Sequence, residues 1–178
     1  MKLQTESFSL EVLQPQDAPS LSRLMISNGK RFQEILPDTL AENLSEAHSK
    51  TFIQKKNTLR KLGLEFTFAI KDIDTGHVAG LILIKNINYQ TKQAEIAYCL
   101  GQKFSGKGWM TRSLKAIKNY AFQNLGLQIL QLTIHKSNRS SINIAKSNGF
   151  VWMQTLTSEY ETQSAVLDME LYQLHYER

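Results

Sequence analysis

Cysteine, proline and long apolar runs are scarce in this sequence. One cysteine, Cys99, stands among 178 residues. It excludes an internal disulfide and any multi-cysteine metal cage. With 3 prolines and 9 glycines, collagen-like and low-complexity architectures are excluded as well. No apolar stretch approaches the roughly 18 residues that span a bilayer, and the N-terminal MKLQTESFSLEVL lacks the apolar core of a secretory signal. Repeats, Gly/Ser linkers and Lys/Arg tracts are missing too. These absences predict a single domain over residues 1–178, cytoplasmic, without a membrane partner.

What is present is a globular composition, 42% hydrophobic and 21% charged, with a formal charge of +5. A basic excess favours an anionic ligand. No zinc-finger cysteines or RNP-type aromatic motif accompany it, so the expected ligand is a small anion rather than nucleic acid. An RNA-binding protein, the rival class, would show salt-sensitive RNA affinity.

Hydrophobic periodicity orders the chain. Ser7–Leu13 alternates as a strand. Helical stretches follow from Pro15 and over Lys30–Leu36, the second stopping at Pro37. A longer helix is predicted from about Glu42 to Leu62, with Leu44, Ala47, Phe52, Leu59 and Leu62 on its apolar face and Gly63 as its stop. Strands are predicted over Glu65–Asp72, His77–Ile87 and Gln93–Leu100, the first two forming a hairpin around Asp72–Gly76. Met110, Leu114, Ile117, Ala121 and Leu125 recur at helical spacing. Leu127–His135 is a strand, Arg139–Asn148 a helix ended by Gly149, and about Phe150–Thr157 and Ala165–Leu174 are the final strands. The order predicts an α/β (α+β) fold with one mixed, mostly antiparallel central sheet.

One loop carries chemistry. In Gly101–Gly108, GQKFSGKG, the pattern is one residue short of the nucleotide P-loop, because Gly108 stands where a Ser or Thr would hold magnesium. A dinucleotide fingerprint fails as well, since Met110 and Thr111 follow where a third glycine belongs. What remains is a glycine-rich turn running from a strand into a helix start. Such a turn aims unpaired N–H groups outward and binds an anion without a metal. Lys103, Lys107 and Arg112 add positive charge. The plainer reading is an ordinary tight turn.

Around this loop the sequence resembles the GNAT acyl-CoA N-acyltransferases, and within them the RimJ/RimL-like branch. KFSGKG (Lys103–Gly108) is similar to the family's [QR]xxGx[GA] loop, with Lys103 at the first position. GKGWMTRSLKAI, AEIAYCL (Ala94–Leu100) and NRSSINIAKSNGF (Asn138–Phe150) resemble the branch's G-K-G-x-M-T-x-A-L, A-E-I-G-Y-W-L and N-x-x-S…GF blocks. The resemblance is specific over about Ala94–Phe150. It implies the GNAT fold, a sheet of about six to seven strands flanked by about four helices. It also implies acetyl-CoA as cofactor. Its pyrophosphate would lie on Lys103, Phe104, Ser105, Gly106, Lys107, Gly108, Trp109 and Met110, running into Thr111. Its pantetheine arm would follow the Glu95–Leu100 strand at Tyr98 and Leu100, and Asn138 and Ser141 would sit near the thioester.

The implied reaction is attack of a neutral amine on the thioester. Glu95, an acid inside an apolar strand, is the candidate base, acting directly or through a water, with burial raising its pKa. The plainer alternative is a solvated or lysine-paired carboxylate. A main-chain N–H at Tyr98 or Cys99 would stabilise the oxyanion. Many relatives place a tyrosine acid where Ala145 stands, so Ser141 is the substitute candidate. Asn138 and Ser141 also read simply as residues of a helix N-terminus. Cys99 shares Glu95's strand face, but reads as a buried small residue. Trp109 and Met110 read as packing by side chain. No metal site is expected.

The amine side would come from Asn28–Pro37, the helix after it and the last hairpin. The first expectation for the acceptor is a protein N-terminal amine, such as that of a ribosomal protein. The alternatives are a polyamine or aminoglycoside, or a CoA-binding module with weak turnover. A monomer or a homodimer suits either.

Overall fold

The computed structural model describes residues 3–161 and 166–176, over 158–161 and 166–167 as backbone alone. In chain order these are β1 (Leu3–Gln4), β2 (Phe8–Val12), α1 (Ala18–Ser27), α2 (Gly29–Ile35), α3 (Pro37–Ala41), α4 (Glu46–Lys61), β3 (Phe66–Asp72) and β4 (Val78–Asn88). Then come β5 (Gln93–Leu100), α5 (Trp109–Asn124), β6 (Ile129–His135), α6 (Arg139–Ser147), β7 (Val151–Glu161) and β8 (Val166–His175). Short 3-10 turns occupy Pro15–Asp17 and Gln102–Phe104. Among the described residues eight strands form one sheet in the order β1-β2-β3-β4-β5-β6-β8-β7. β5 and β6 run parallel, while β1–β2, β2–β3, β3–β4, β6–β8 and β7–β8 run antiparallel. The mixed, mostly antiparallel sheet is therefore as expected, with somewhat more strands and helices. β1 pairs Leu3 with Leu10 and is too short to show a period. The predicted start of the last strand at Ala165 lies outside the described residues.

The long helix begins later than its apolar pattern suggested. Ser45 is extended (φ −153°) and its hydroxyl accepts from the His48 N–H at 3.1 Å, an N-cap that starts α4 at Glu46. Leu44 and Leu62, placed on the apolar face from sequence, are 52% and 65% exposed. Phe52 faces the core as expected, and Ser49 and Ile53 join it there. The expected helical period runs straight through this cap.

By packing, the chain divides into two units. The first holds Met1–Lys85 and Ala97–Trp109. Its central strand β3 is buried from Phe66 through Lys71, which two flanking antiparallel strands and an apolar composition explain. Leu21, Met25, Phe32, Phe52, Ile53 and Leu81 build its core. The second unit holds Asn86–Ile96 and Met110–Arg178. Here Leu114, Ile117 and Ala121 turn one stripe of α5 inward. Phe122 of α5 packs on Tyr176 with ring centres 5.0 Å apart. Among the described residues no helix is long and apolar enough to cross a membrane.

Candidate active site

The phosphate-loop candidate lies in the first unit. β5 ends at Leu100, and the Gly101 N–H returns to Ala79 O at 2.8 Å. The next turn is closed by Phe104 N–H to Gly101 O (2.9 Å) and Ser105 N–H to Gln102 O (3.1 Å). Gly106 and Gly108 then take φ of +77° and +72°, a left-handed conformation that costs other L-residues about 1–2 kcal/mol. A Cβ built on either would meet no atom within 4 Å, so the main chain borders open space there. Among the described residues nothing accepts from the Gly106, Lys107 or Gly108 N–H groups. Beneath the loop Trp109 stacks on Phe104 (5.0 Å) and Phe8 (5.3 Å), which anchors the start of α5. The Lys103 and Lys107 ammonium groups stand 5.8 and 5.7 Å from the Phe104 ring centre. Open space, unclaimed N–H groups and two cations fit a diphosphate. Trp109 and Met110 are 5% and 3% exposed, so they offer a ligand main chain rather than side chain.

Tyr98, Cys99 and Leu100 are all buried. Burial pushes the Cys99 thiol from an ordinary 9.0 up to about 12, against smaller opposing effects of a Leu81 main-chain hydrogen bond and the Arg31 charge. The thiolate fraction at pH 8 falls about a thousandfold from that rise alone. Cys99 is therefore expected to react with a disulfide reagent at pH 8 at least about a hundred times more slowly in the native protein than in the unfolded chain, as a thiol assay with and without guanidinium would show. Equal rates would contradict the burial argument.

The other candidates lie in the second unit. The β5–β6 ladder pairs Gln93 with Ile129, Ala94 with Leu130 and Glu95 with Gln131. Ala94 and Ile96 are buried, whereas Gln93 and Glu95 on the opposite face are half-buried. Glu95 is thus less enclosed than its apolar strand suggested, because alternation turns it to the polar side. It accepts from Asn86 Nδ2 at 2.8 Å. Asn86 itself sits in β4 at φ +51°, a conformation asparagine tolerates better than most residues. Across the ladders Glu95 neighbours Gln131, and Gln131 neighbours Gln173. Among the described residues Glu95 is the one carboxylate on this face of β5, β6 and β8.

Asn138 Oδ1 accepts from the Ser141 N–H at 3.1 Å, so Asn138 caps α6 as the sequence allowed. Ser141 is half-buried in the first turn, and Ala145 is fully buried. Thr111 O accepts from Asn148 Nδ2 at 3.3 Å, tying the start of α5 to the end of α6. So Tyr98, Leu100 and Lys103–Trp109 share one unit, and Glu95, Met110, Thr111, Asn138 and Ser141 the other. Asn86 escaped the sequence reading, since its link to Glu95 depends on a backbone twist that no local pattern announces.

The sequence profile of the acetyltransferase (GNAT) domain matches residues 8–151, well over half the chain. The protein belongs to the GNAT family. It is an acetyltransferase, and as a family member it draws its acyl group from acetyl-CoA. The chain is similar to YdaF of Bacillus subtilis (strain 168), whose name proposes a ribosomal N-acetyltransferase, at 28% identity over 82% of this chain and 79% of that one. It is also similar to the spermidine N(1)-acetyltransferase of Escherichia coli (strain K12), at 35% identity over 42% of this chain and 40% of that one. In fold it resembles the ribosomal-protein-S5-alanine acetyltransferase of Vibrio fischeri, with a TM-score of 0.92 at 18% identity, covering 98% of this chain and 96% of that one. The YdaF likeness supports the RimJ/RimL-like branch, and the Vibrio fischeri likeness shows the shared fold.

Proposed function

We propose that the protein acetylates the α-amine of a protein N-terminus, a ribosomal protein being the first candidate, and that its two units together make one acetyltransferase domain over residues 1–178. The carrying observation is the row Glu95, Gln131 and Gln173. One carboxylate flanked by neutral amides suits a single amine followed by peptide groups, which amides can both donate to and accept from. A polyamine, with several cations, calls for several carboxylates. The names of YdaF and the Vibrio fischeri enzyme support the same reading. The spermidine enzyme supports the rival one over its shorter match.

In this reading the main-chain N–H groups of Gly106–Met110 hold the donor's diphosphate, with Lys103 and Lys107 adding charge. Lys103, Phe104, Ser105 and Thr111 border it, and Tyr98 and Leu100 line the thioester arm. Acetyl-CoA supplies an acyl group already activated as a thioester. Glu95 takes the proton of the incoming amine, directly or through a water. A main-chain N–H at Tyr98 or Cys99 would stabilise the oxygen that gains charge. Asn138 and Ser141 would lie at the thiol end, where Ser141 would return a proton to the leaving thiolate.

The test is thiol release from acetyl-CoA against peptides beginning with Ser or Ala, spermidine and aminoglycosides, with and without EDTA. Turnover with the peptides, unchanged by EDTA, is the expected result. Turnover confined to spermidine would transfer the assignment to the polyamine reading. A strict magnesium requirement would sink the metal-free loop.

A further inference from the structure

We propose that Arg31 of α2 is a positioning residue for acetyl-CoA, fixing the turn from which the loop's N–H groups are aimed. The proposal rests on the reading that the Gly106–Gly108 loop takes the donor's diphosphate. A single guanidinium nitrogen, Arg31 Nη1, donates to Leu100 O at 2.9 Å, to Gln102 Oε1 at 3.1 Å and to Ser105 Oγ at 3.3 Å. These acceptors lie 69 to 74 residues away and bracket the whole turn from the end of β5 to the residue before Gly106. Asn28, at the corner between α1 and α2, adds a second tie. Its Oδ1 accepts from the Gln102 N–H at 2.9 Å, and its Nδ2 donates to Leu24 O at 2.9 Å. Leu24 also backs the turn directly, since a Cβ on Gly101 would meet Leu24 Cδ1 at 2.9 Å.

Ser105 is consequently the last tethered point before two left-handed glycines. Glycine has more backbone freedom to lose than any other residue, so an unanchored loop would sample many directions for its N–H groups. Holding Ser105 removes part of that cost before the donor arrives. The tie involves no reacting atom and acts alike in the ground and transition states. Its loss should therefore appear in KM and leave kcat nearly unchanged. Because one nitrogen makes all three contacts, a lysine ammonium with its three donors can replace much of it.

The experiment compares wild type, Arg31→Met, Arg31→Lys, Gln102→Ala and Gly108→Val. It measures CoA affinity by calorimetry and steady-state kinetics in acetyl-CoA, at low salt and about 0.5 M salt. Arg31→Met is expected to weaken CoA binding and raise KM about tenfold, with kcat within about twofold. Arg31→Lys should recover to within about threefold of wild type. Gln102→Ala, which deletes one exposed acceptor, should cost about threefold and serves where Arg31→Met fails to fold. The effect should persist in high salt, because a positional tie is screened far less than a free charge. Wild-type KM in Arg31→Met, or in Gln102→Ala where that variant stands in, would overturn the proposal. So would an effect that vanishes in salt. Gly108→Val separates the two layers. If it binds CoA as wild type does, the loop reading itself fails. If it alone weakens binding, the loop stands and Arg31's role falls.

Discussion

Glu95→Gln is expected to lower kcat about 10²- to 10³-fold near pH 7 while KM for acetyl-CoA stays within about twofold, the range of a lost general base. The substitution keeps the shape of the side chain and an oxygen for Asn86 Nδ2, which lies 2.8 Å from the present carboxylate. On the proposed reading, what disappears is the capacity to accept the amine's proton. The proposed acceptor, an α-amine, titrates at about 8, so below that pH most of it arrives protonated and the base matters most. Above about pH 9 the acceptor is already neutral, and the deficit should shrink roughly tenfold. Rate profiles of both proteins from pH 6 to about pH 10 would check this, with a calorimetric CoA titration to show an intact donor site. A Glu95→Gln variant within about threefold of wild type at pH 7 would remove Glu95 from the chemistry and leave it the solvated-carboxylate role.

The glycine-rich turn was legible in the sequence because its parts are contiguous. Gly106 and Gly108 announce the left-handed turn, and the strand before it was expected at Gln93–Leu100, where β5 is found. The capping role of Asn138 was legible for the same reason, since cap and first turn are neighbours in sequence. What sequence did not show depends on distant partners or on exceptions to a period. Arg31 reads as one more polar residue in a short amphipathic helix, and only folding carries it to Leu100 O. Ile53 was overlooked while Leu44 and Leu62 were placed inward, because a run of leucines outweighs a cap when periodicity alone is counted. The burial of Glu95 was overestimated for a related reason. An apolar strand suggests two buried faces, whereas here one face of β5 begins with Gln93 and Glu95 half-exposed beside a row of amides.

The fold itself should be sensitive at Lys71. Its Nζ lies 2.8 Å from Asp17 Oδ1 and 3.8 Å from Glu11 Oε1, with side-chain exposures of only 11% for Lys71 and 5% for Asp17. Asp17 Oδ2 accepts from the Gln14 N–H at 2.7 Å and so also closes the turn that starts α1. Lys71→Met keeps the apolar stem but strands a buried carboxylate, a loss of about 3–5 kcal/mol. A domain of this kind has about 5–15 kcal/mol in all, so the melting temperature should fall by about 10 °C. Lys50 and Glu46 provide the contrast. Their separation is the same 2.8 Å, but exposures of 57% and 50% leave both ions hydrated, and Lys50→Met should change stability by less than about 0.5 kcal/mol. Desolvation, not distance, separates the two pairs. Adding Asp17→Asn to Lys71→Met removes the stranded charge and keeps an acceptor for Gln14, so more than about half the loss should return. Urea melts of the three variants would measure each step. A Lys71→Met protein within about 1 kcal/mol of wild type would mean that water reaches Asp17 and that the pair is no more than a surface contact.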